Sequence, residues 1–372
     1  MPTIEYRLFF NNLPAGQTQL DLVESIEVDQ DVDMAWEARL EIPSCASDAG
    51  KWQEENQKVL DDFGRVRVEV KIGKDKFVPL IDGSIVGFDN KMSAEPGQSS
   101  ITVHVHDDSV LLNRNELVDF FVEKTDDQIA RKLFQSIPEI ASVDVDPVPP
   151  LDGNLEVVRV QRSTAMQYLR KMAKRRNMHA YVLPGEQPGQ SIGMFKKFPT
   201  TKDGLPDMIL TGPSRNIGRF DVKNLATQAG TAVSYSVSLT DKKVVKKTAD
   251  PKQTDTTGSE PATKPANTGT YLLPPHAANS TDLHSAVQSK TDKASYQFDV
   301  SGVLFTECYG KPLTPYRLVT ATGVNGRLSG DYIVTGVTHT LNRDAYKQTF
   351  KLTRNARSSG ADAPKRPAGK VY

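Results

Sequence analysis

His104 and His106 are the residues of this chain whose type and spacing best fit metal binding. They lie one residue apart in an alternating segment, Ile101 to His106, so both imidazoles face the same side of a strand. Asp107 and Asp108 follow directly. Imidazoles and carboxylates are zinc ligands, but a third ligand at a motif spacing is missing. We therefore interpret the two histidines as solvent-facing and predict no metal site.

Adjacent acidic residues are a second candidate, because glycoside hydrolysis needs two carboxylates flanking one bond. Neighbours on a loop do not place two carboxyl groups across a substrate, and one pair begins a predicted helix, where it complements the helix dipole. We also interpret the sequence as lacking the P-loop, HExxH, Gly-x-Ser-x-Gly and paired CxxC spacings. We therefore predict no enzymatic activity, no catalytic residue and no cofactor, with a cell-wall hydrolase as the alternative. The acidic pairs are Glu54-Glu55, Asp61-Asp62, Asp107-Asp108 and Asp126-Asp127.

Three further features have plain structural interpretations. The basic cluster from Lys171 to Arg176 lies near the end of a predicted helix, where it complements the dipole and solvates one face. The alternatives are an acidic partner surface and a nucleic-acid patch. His339 lies in the middle of a predicted strand and is interpreted as a core or interface residue with satisfied hydrogen bonds. Cys45 and Cys308 are interpreted as free thiols in a reducing compartment.

Bulk properties narrow the class of protein. The chain has 372 residues, with 46 basic and 46 acidic side chains, so a specific nucleic-acid partner is not expected. No apolar run approaches the ~20 residues that cross a bilayer, and the first ten residues resemble a strand rather than a signal peptide. We expect a protein made in the cytoplasm without a signal peptide or membrane segment.

Residues 1–115 alternate in the manner of a small β-barrel. The clearest strand is Arg65 to Ile72, with four aliphatic residues on one face and Arg65, Arg67, Glu69 and Lys71 on the other. The strand from Phe77 to Phe88 contains Gly83 and Gly87, which indicate a bulge or a barrel corner. Other strands are predicted over Glu5–Phe10, Val23–Val28, Ala35–Ile42 and Ile101–His106.

Residues 116–205 read as a small α+β domain. Thr125 to Gln128 and Thr164 to Gln167 each have the spacing of a capping box at the start of a helix. Asn177 is a suitable left-handed residue for ending the second helix. Strands are predicted over Leu155–Val160, Ala180–Leu183 and Gly193–Phe195.

Residues 206–356 return to β-structure, as a second barrel-like domain formed by 206–240 and 295–356. Thr231 to Ser238 alternates, and a polar loop over 241–292 is predicted to be exposed and in part disordered. A weak helix is predicted within this loop, from Leu283 to Val287. The tail, 357–372, is predicted to be flexible. The fold class is therefore mainly β: two tube-like β-barrel domains with an α+β insert between them.

The end of the second barrel contains short sequence motifs in a specific order. Leu328-Ser-Gly-x-Tyr332 leads into a strand with Val337-x-His339, a polar turn follows, and Tyr346-x-x-x-Phe350 closes on Arg354-Asn-Ala356. This hairpin resembles the end of the baseplate hub proteins of contractile injection machines, the phage late control D family. The N-terminal part of type VI secretion spike proteins belongs to the same group. The blocks Val160–Val182 and Gly83–Leu112 are also similar to that family.

The resemblance implies a structural protein without enzymatic activity. In that family each subunit carries two tube-like β domains, so a homotrimer forms a ring of six such units around an open channel. The ring joins a hexameric inner tube to a trimeric spike, next to other baseplate proteins, in a phage tail or an extracellular particle. This chain lacks the needle of type VI spike proteins, which implies a separate spike. A carbohydrate-binding β protein is a further alternative. Interface residues are expected in Arg65–Ile72 and Tyr332–Leu341.

Overall fold

The chain is mainly β-structure with a small helical part, as predicted. The computed structural model describes residues 2–46, 64–95, 97–149, 158–237, 242–250, 256–262, 269–274, 280–343 and 345–358. The N-terminal part holds one short helix and seven strands: β1 (Ile4–Phe10), β2 (Leu13–Pro14), α1 (Gln17–Leu22), β3 (Ser25–Asp31), β4 (Glu37–Pro43), β5 (Arg65–Ile72), β6 (Val78–Lys91) and β7 (Ser100–Asp107).

The middle part holds two helices and five strands. They are β8 (Glu116–Val122), α2 (Asp126–Phe134), β9 (Ile140–Val145), β10 (Val158–Thr164), α3 (Ala165–Arg175), β11 (His179–Pro184) and β12 (Ser191–Lys196). The C-terminal part follows with β13 (Met208–Ile209), β14 (Ile217–Asn224), β15 (Gly230–Val237), β16 (Val244–Thr248), β17 (Glu260–Pro261), β18 (Gly269–Leu273), α4 (Ser280–Ser295), β19 (Phe298–Leu304), α5 (Thr306–Tyr309), β20 (Leu318–Thr322), β21 (Gly330–Asn342), β22 (Tyr346–Arg354) and β23 (Ala356–Arg357).

One 13-stranded sheet joins the N-terminal and C-terminal parts. Its order is β14-β19-β22-β21-β3-β4-β7-β6-β5-β1-β2, with β20 beside β21 and β13 beside β20. The seam between the two parts is the antiparallel pair β3–β21, from Ser25 opposite Asn342 to Asp31 opposite Gly336. The strands of both parts therefore form a single continuous surface.

The two parts repeat the same arrangement of five strands. In chain order β3, β4, β5, β6 and β7 correspond to β14, β19, β20, β21 and β22, and neighbours in one set are neighbours in the other. Both long strands are bulged at the same place: β6 between Ile85 and Gly87, and β21 between Val334 and Gly336. The predicted bulge near Gly87 is confirmed. We call these two sets unit 1 and unit 2.

The middle part packs two helices on a three-stranded sheet, β11-β12-β9, beside the ribbon β8–β10. The sequence signals at the helix ends are confirmed. Thr125 and Gln128 form a capping box, the Thr164 hydroxyl accepts a hydrogen bond from the Gln167 N–H, and Asn177 is left-handed with φ 53°. Strands β8 and β9 and the short helix α1 were not predicted.

The segment between β14 and β19 differs from the prediction. β15 does not join the large sheet; it pairs with β16 and β18, and this small sheet packs on α4. The described residues of 241–292 therefore contain strands and most of a helix. The helix is held by α3, because the Ser289 hydroxyl donates to the Lys174 carbonyl at 2.6 Å and accepts from the Asn177 N–H at 3.0 Å. In the predicted tail, residues 359–372 lie outside the described residues.

Buried charges connect unit 1 to the middle part. Arg67 and Glu69 lie on the polar face of β5, as the alternation indicated, yet they are only 1% and 5% exposed. The turn between β11 and β12 covers them: Arg67 donates to the carbonyls of Gly185 and Gln187 at 2.8 and 3.2 Å, and to Glu186 at 3.1 Å. Their burial was not predicted, because these side chains are paired with a segment far away in sequence.

Candidate functional site: the polar face of the sheet

Unit 1 presents polar side chains on one face of the large sheet and apolar side chains on the other. Alternate residues of β3 and β4 are buried, including Ile26, Val28 and Leu40, whereas their neighbours remain partly exposed. This alternation follows from the two-residue period of a strand. On the polar face Arg39 bridges three carboxylates. Its guanidinium lies 2.7 Å from Asp29 and 3.2 Å from Glu37, and it also contacts Glu27.

His104 lies on this polar face between two carboxylates. Its Nδ1 is 3.0 Å from Glu37 and its Nε2 is 2.9 Å from Asp89. The hydrogen bond to Glu37 and the negative charges raise the pKa of His104 above its ordinary value. Burial alone would raise the pKa of Glu37, but the bond to His104 and the charge of Arg39 lower it. Both imidazole nitrogens of His104 are thus occupied by carboxylates.

Metal binding finds no support in this arrangement. His106 lies beside His104 on the same face, as predicted, but in the described ranges of the chain no three histidine, cysteine, aspartate or glutamate side chains are grouped as metal ligands. Cys45 and Cys308 are both exposed and unpaired with each other.

Unit 2 continues the polar face with a different composition. The exposed residues of β19 and β22 are Asp299, Ser301, Lys347, Thr349 and Lys351. Their alternating neighbours are buried against the C-terminal core, which includes Val300, Phe350 and Leu352. Acidic side chains predominate in unit 1 and lysines in unit 2.

The seam between the units is held by contacts on both faces. On the polar face, the Thr338 hydroxyl donates to Asp29 at 2.6 Å and the Lys351 ammonium lies 3.0 Å from Asp31. On the buried face, His339 lies 2.7 Å from the Tyr346 hydroxyl and 3.3 Å from the Gln30 side-chain oxygen.

His339 is neutral at this seam. Complete burial lowers the pKa of its imidazole to about 3, because a charged ring in the core would lose its hydration. Gln30 in turn donates to the Leu80 carbonyl at 2.7 Å. The structure therefore places His339 in the hydrogen-bonded core position that the sequence indicated.

The basic end of α3 surrounds one buried carboxylate. Asp126 contacts Arg159, lies 2.8 Å from Arg176 and 3.7 Å from Arg175. Asp126 therefore complements the helix dipole, as predicted from its position, and also serves as the counter-ion of this cluster. The arginine charges are therefore partly compensated inside the protein.

A wide cleft of about 970 Å³ lies where unit 1, the middle part and unit 2 meet. Its floor contains the rings of Tyr181 and Tyr316, stacked with centroids 3.6 Å apart. The Tyr316 hydroxyl accepts a hydrogen bond from the Asp33 N–H at 2.9 Å, and Asp33 lies 2.8 Å from Nδ1 of His179. These groups hold the three parts together. Because His179 is only 3% exposed, a substrate in the cleft cannot reach it.

The interpretation that the sequence lacks a Gly-x-Ser-x-Gly motif was wrong. Gly189-Gln190-Ser191-Ile192-Gly193 has the Gly-x-Ser-x-Gly spacing of the hydrolase nucleophile elbow, which requires an exposed serine on a turn from strand to helix. Here Ser191 begins a strand, is 1% exposed, and donates to Asp108 at 2.5 Å. The motif therefore lacks the geometry of a nucleophile, and Ser191 anchors the β11–β12 hairpin to unit 1.

Neither strand expected to contribute interface residues has a free edge. β5 pairs with β1 and β6, and Tyr332–Leu341 of β21 pairs with β22, β20 and β3. In the part of the chain that the structure describes, the large sheet ends instead at β14 on one side. No helix among these residues combines the length and apolar character needed to span a membrane.

No protein-family model and no curated protein sequence matches this chain. Several solved structures share its fold. A tail protein from Neisseria meningitidis MC58 is 13% identical, with a TM-score of 0.64 over 94% of this chain and 96% of that one. The 43 kDa tail protein of prophage MuSo2 from Shewanella oneidensis is 14% identical, with a TM-score of 0.63 over 95% and 98%. A type VI secretion system component from E. coli is 11% identical, with a TM-score of 0.52 over 98% and 79%.

These likenesses extend over nearly the whole chain, so they include both units and the middle part. The resemblance to baseplate hub proteins seen in the sequence is thereby confirmed at the level of the fold. The chain has the fold of these phage tail and type VI secretion proteins.

Proposed function

We propose that this chain is a structural baseplate hub of a contractile injection system or phage tail. Three copies form a ring of six units, which joins a hexameric inner tube to a separate trimeric spike. The observation that carries this proposal is the internal repeat: two equivalent five-stranded units lie side by side in one sheet with a common polar face. A three-fold ring of such chains has six nearly equivalent positions for a six-fold tube.

The polar face of the sheet is the wall of the channel in this proposal. Its carboxylates, lysines and threonines keep water in the passage, and neither sign of charge prevails over the entire face. The fold likeness to tail proteins and to a type VI secretion component supports this assignment. The protein is made in the cytoplasm and is then built into the particle beside other baseplate proteins.

Electron microscopy of the assembled complex tests the proposal. The full chain is co-expressed with the tube and spike proteins of its own particle, and the purified complex is imaged along its axis. We expect a ring with three-fold symmetry, six lobes and a central opening. A monomer or dimer that binds neither tube nor spike contradicts the proposal, as does a ring of another symmetry.

The alternative function is cell-wall hydrolysis. We expect the purified chain to leave peptidoglycan intact in a zymogram, and Ser191→Ala to behave as the unsubstituted chain does. Clearing by the unsubstituted chain that a carboxylate or Ser191 substitution abolishes contradicts a purely structural role. Glycan binding by a stable monomer favours the carbohydrate-binding alternative.

A further inference from the structure

The seam inside the chain shows how one unit joins the next. β3 pairs only with the part of β21 that follows its bulge, Gly336 to Asn342. The part before the bulge, Gly330 to Ile333, is covered by β20. The bulge therefore divides the long strand into one half that pairs within its own unit and one half that receives the edge strand of the neighbouring unit.

Unit 1 has the same divided strand, but its second half is uncovered. β5 pairs with β6 up to Ser84, before the bulge. Gly87 to Lys91 pairs with β7 on one side, and on the other side no strand of the described chain adjoins it. At the opposite end of the sheet, β14 is the counterpart of β3, and β19 is its one partner strand among the described residues.

We propose that β14 of one copy pairs antiparallel with Gly87–Lys91 of a second copy, in the register of the internal seam. This inference rests on the proposed ring and specifies how the ring closes. Unpaired strand edges are templates for association, and full closure removes them.

The register follows from the correspondence of the units. Gly87 lies opposite His104 as Gly336 lies opposite Lys351. Paired residues can then be followed from β7 across β4 to β3, and from β22 across β19 to β14. They give Asp221 as the counterpart of Glu27 and Lys223 as the counterpart of Asp29. The intersubunit pairs are then Phe88 with Asn224, Asp89 with Lys223, Asn90 with Val222, and Lys91 with Asp221.

Charge complementarity supports this register. Two of its four pairs join opposite charges, Asp89 with Lys223 and Lys91 with Asp221, and both lie on the polar face. Opposite charges directly across two strands attract, whereas like charges there are unfavourable. At the corresponding place in the internal seam the Thr338 hydroxyl donates to Asp29, so both seams join complementary groups at this position.

Exposed apolar side chains support it independently. Phe88 and Met92 are 42% and 65% exposed; Phe88 begins the exposed last four residues of β6, and Met92 follows the strand directly. Their counterparts at the internal seam, Val337 and Leu341, are each 2% exposed, where β3 pairs beside them and the two cores enclose their side chains. The same register places Met92 opposite the half-buried Phe220, and this contact withdraws both side chains from water.

Disulfide trapping tests the register in the full chain, co-expressed with tube and spike. In a background with Cys45→Ser and Cys308→Ser, Asp89→Cys is combined with Lys223→Cys. Directly opposed residues have Cβ atoms about 4.5–5.5 Å apart, near disulfide range, whereas a two-residue slip leaves them about 7–8 Å apart. We expect oxidation to give a covalent trimer. The matched control pairs Asp89→Cys with Asp221→Cys, and we expect little cross-linking.

Charge exchange tests the same contact without cysteines. Asp89→Lys or Lys223→Asp places like charges across the seam, and we expect each to weaken association severalfold per interface. The double exchange, Asp89→Lys with Lys223→Asp, restores assembly. Lys246→Asp, on the exposed small sheet, is the control and leaves assembly unchanged.

The outcomes separate this inference from the proposed function. Two outcomes overturn the register but not the hub assignment. One is a three-fold ring that cross-links through the slipped pair, and the other is a ring whose assembly neither charge reversal weakens. If the cysteine-free chain forms no ring with tube and spike, the proposed function itself fails.

Discussion

The Arg67 guanidinium is the centre of the contact between unit 1 and the middle part. It lies 2.8 Å from Glu69 and 2.9 Å from Asp82, and it donates to three carbonyls of the β11–β12 turn. Arg67→Met fills the same space with an apolar side chain. The two carboxylates then keep one arginine each, Arg7 and Arg65, and the three carbonyls lose a buried donor.

The expected cost of Arg67→Met is large. Removing one partner from a buried ion pair typically destabilises a protein by about 3–5 kcal/mol, because charge and polar groups remain buried without compensation. Arg39 provides the matched comparison, since it also contacts three carboxylates but its side chain is 37% exposed. For exposed pairs the typical contribution is about 0.2–1 kcal/mol. We therefore expect Arg39→Met to cost several-fold less.

Urea unfolding of both variants measures the two free energies, and hydrogen exchange at residues 185–190 localises the effect. We expect faster exchange in this turn for Arg67→Met and no change there for Arg39→Met. Arg67→Lys should fall between the unsubstituted chain and Arg67→Met, because an ammonium keeps the charge but cannot bridge carboxylates and carbonyls together. Equal losses for Arg67→Met and Arg39→Met would refute the reasoning that burial sets the energy.

Three further predictions concern single side chains. Burial lowers the pKa of His339 to about 3, so below pH ~6.5 the unfolded chain binds a proton that the folded chain does not. The free energy of unfolding therefore falls as the pH drops from ~6.5 toward 3. In urea unfolding His339→Gln should flatten this slope, and an unchanged slope contradicts the prediction. NMR titration should give His104 a pKa above its ordinary value, and Glu37→Gln should lower that pKa; a midpoint that does not respond argues against the hydrogen bond. Gly83→Ala should destabilise strongly, since an added Cβ would lie 1.8 Å from the His106 carbonyl, while Gly326→Ala meets no atom within 4 Å and should be neutral in thermal unfolding.

Local signals in the sequence predicted local structure well. The capping residues Thr125 and Thr164 mark helix starts because their side chains satisfy free N–H groups of the first turn, and alternation marked the hairpin β21–β22. Helix α4 was only partly predicted. Its residues have little apolar periodicity, and its contacts with Lys174 and Asn177 lie more than 100 positions away in sequence.

Alternation in the sequence cannot tell a face in water from a face covered by charged partners. β5 alternates as well as any strand of the chain, yet Arg67 and Glu69 are buried by Asp82 and the turn at 185–190. Ser191 is a different case, because its motif could have been found in the sequence and was missed. Its motif spacing is visible in the sequence, but only the structure places its hydroxyl against Asp108 inside a strand.

The internal repeat is carried by topology more than by residue identity. Arg39 of β4 corresponds to Ser301 of β19, and His104 of β7 to Lys351 of β22, so the two units share strand order while their polar faces differ in charge. In the proposed ring the backbone pattern therefore occurs six times, whereas the pattern of charges occurs three times, with acidic and basic sectors in turn. The repeated strand order of the proposed ring therefore matches a six-fold tube, whereas the three-fold alternation of charge lies on the channel wall. The side chains of the two units can thus diverge without loss of the six-fold backbone pattern.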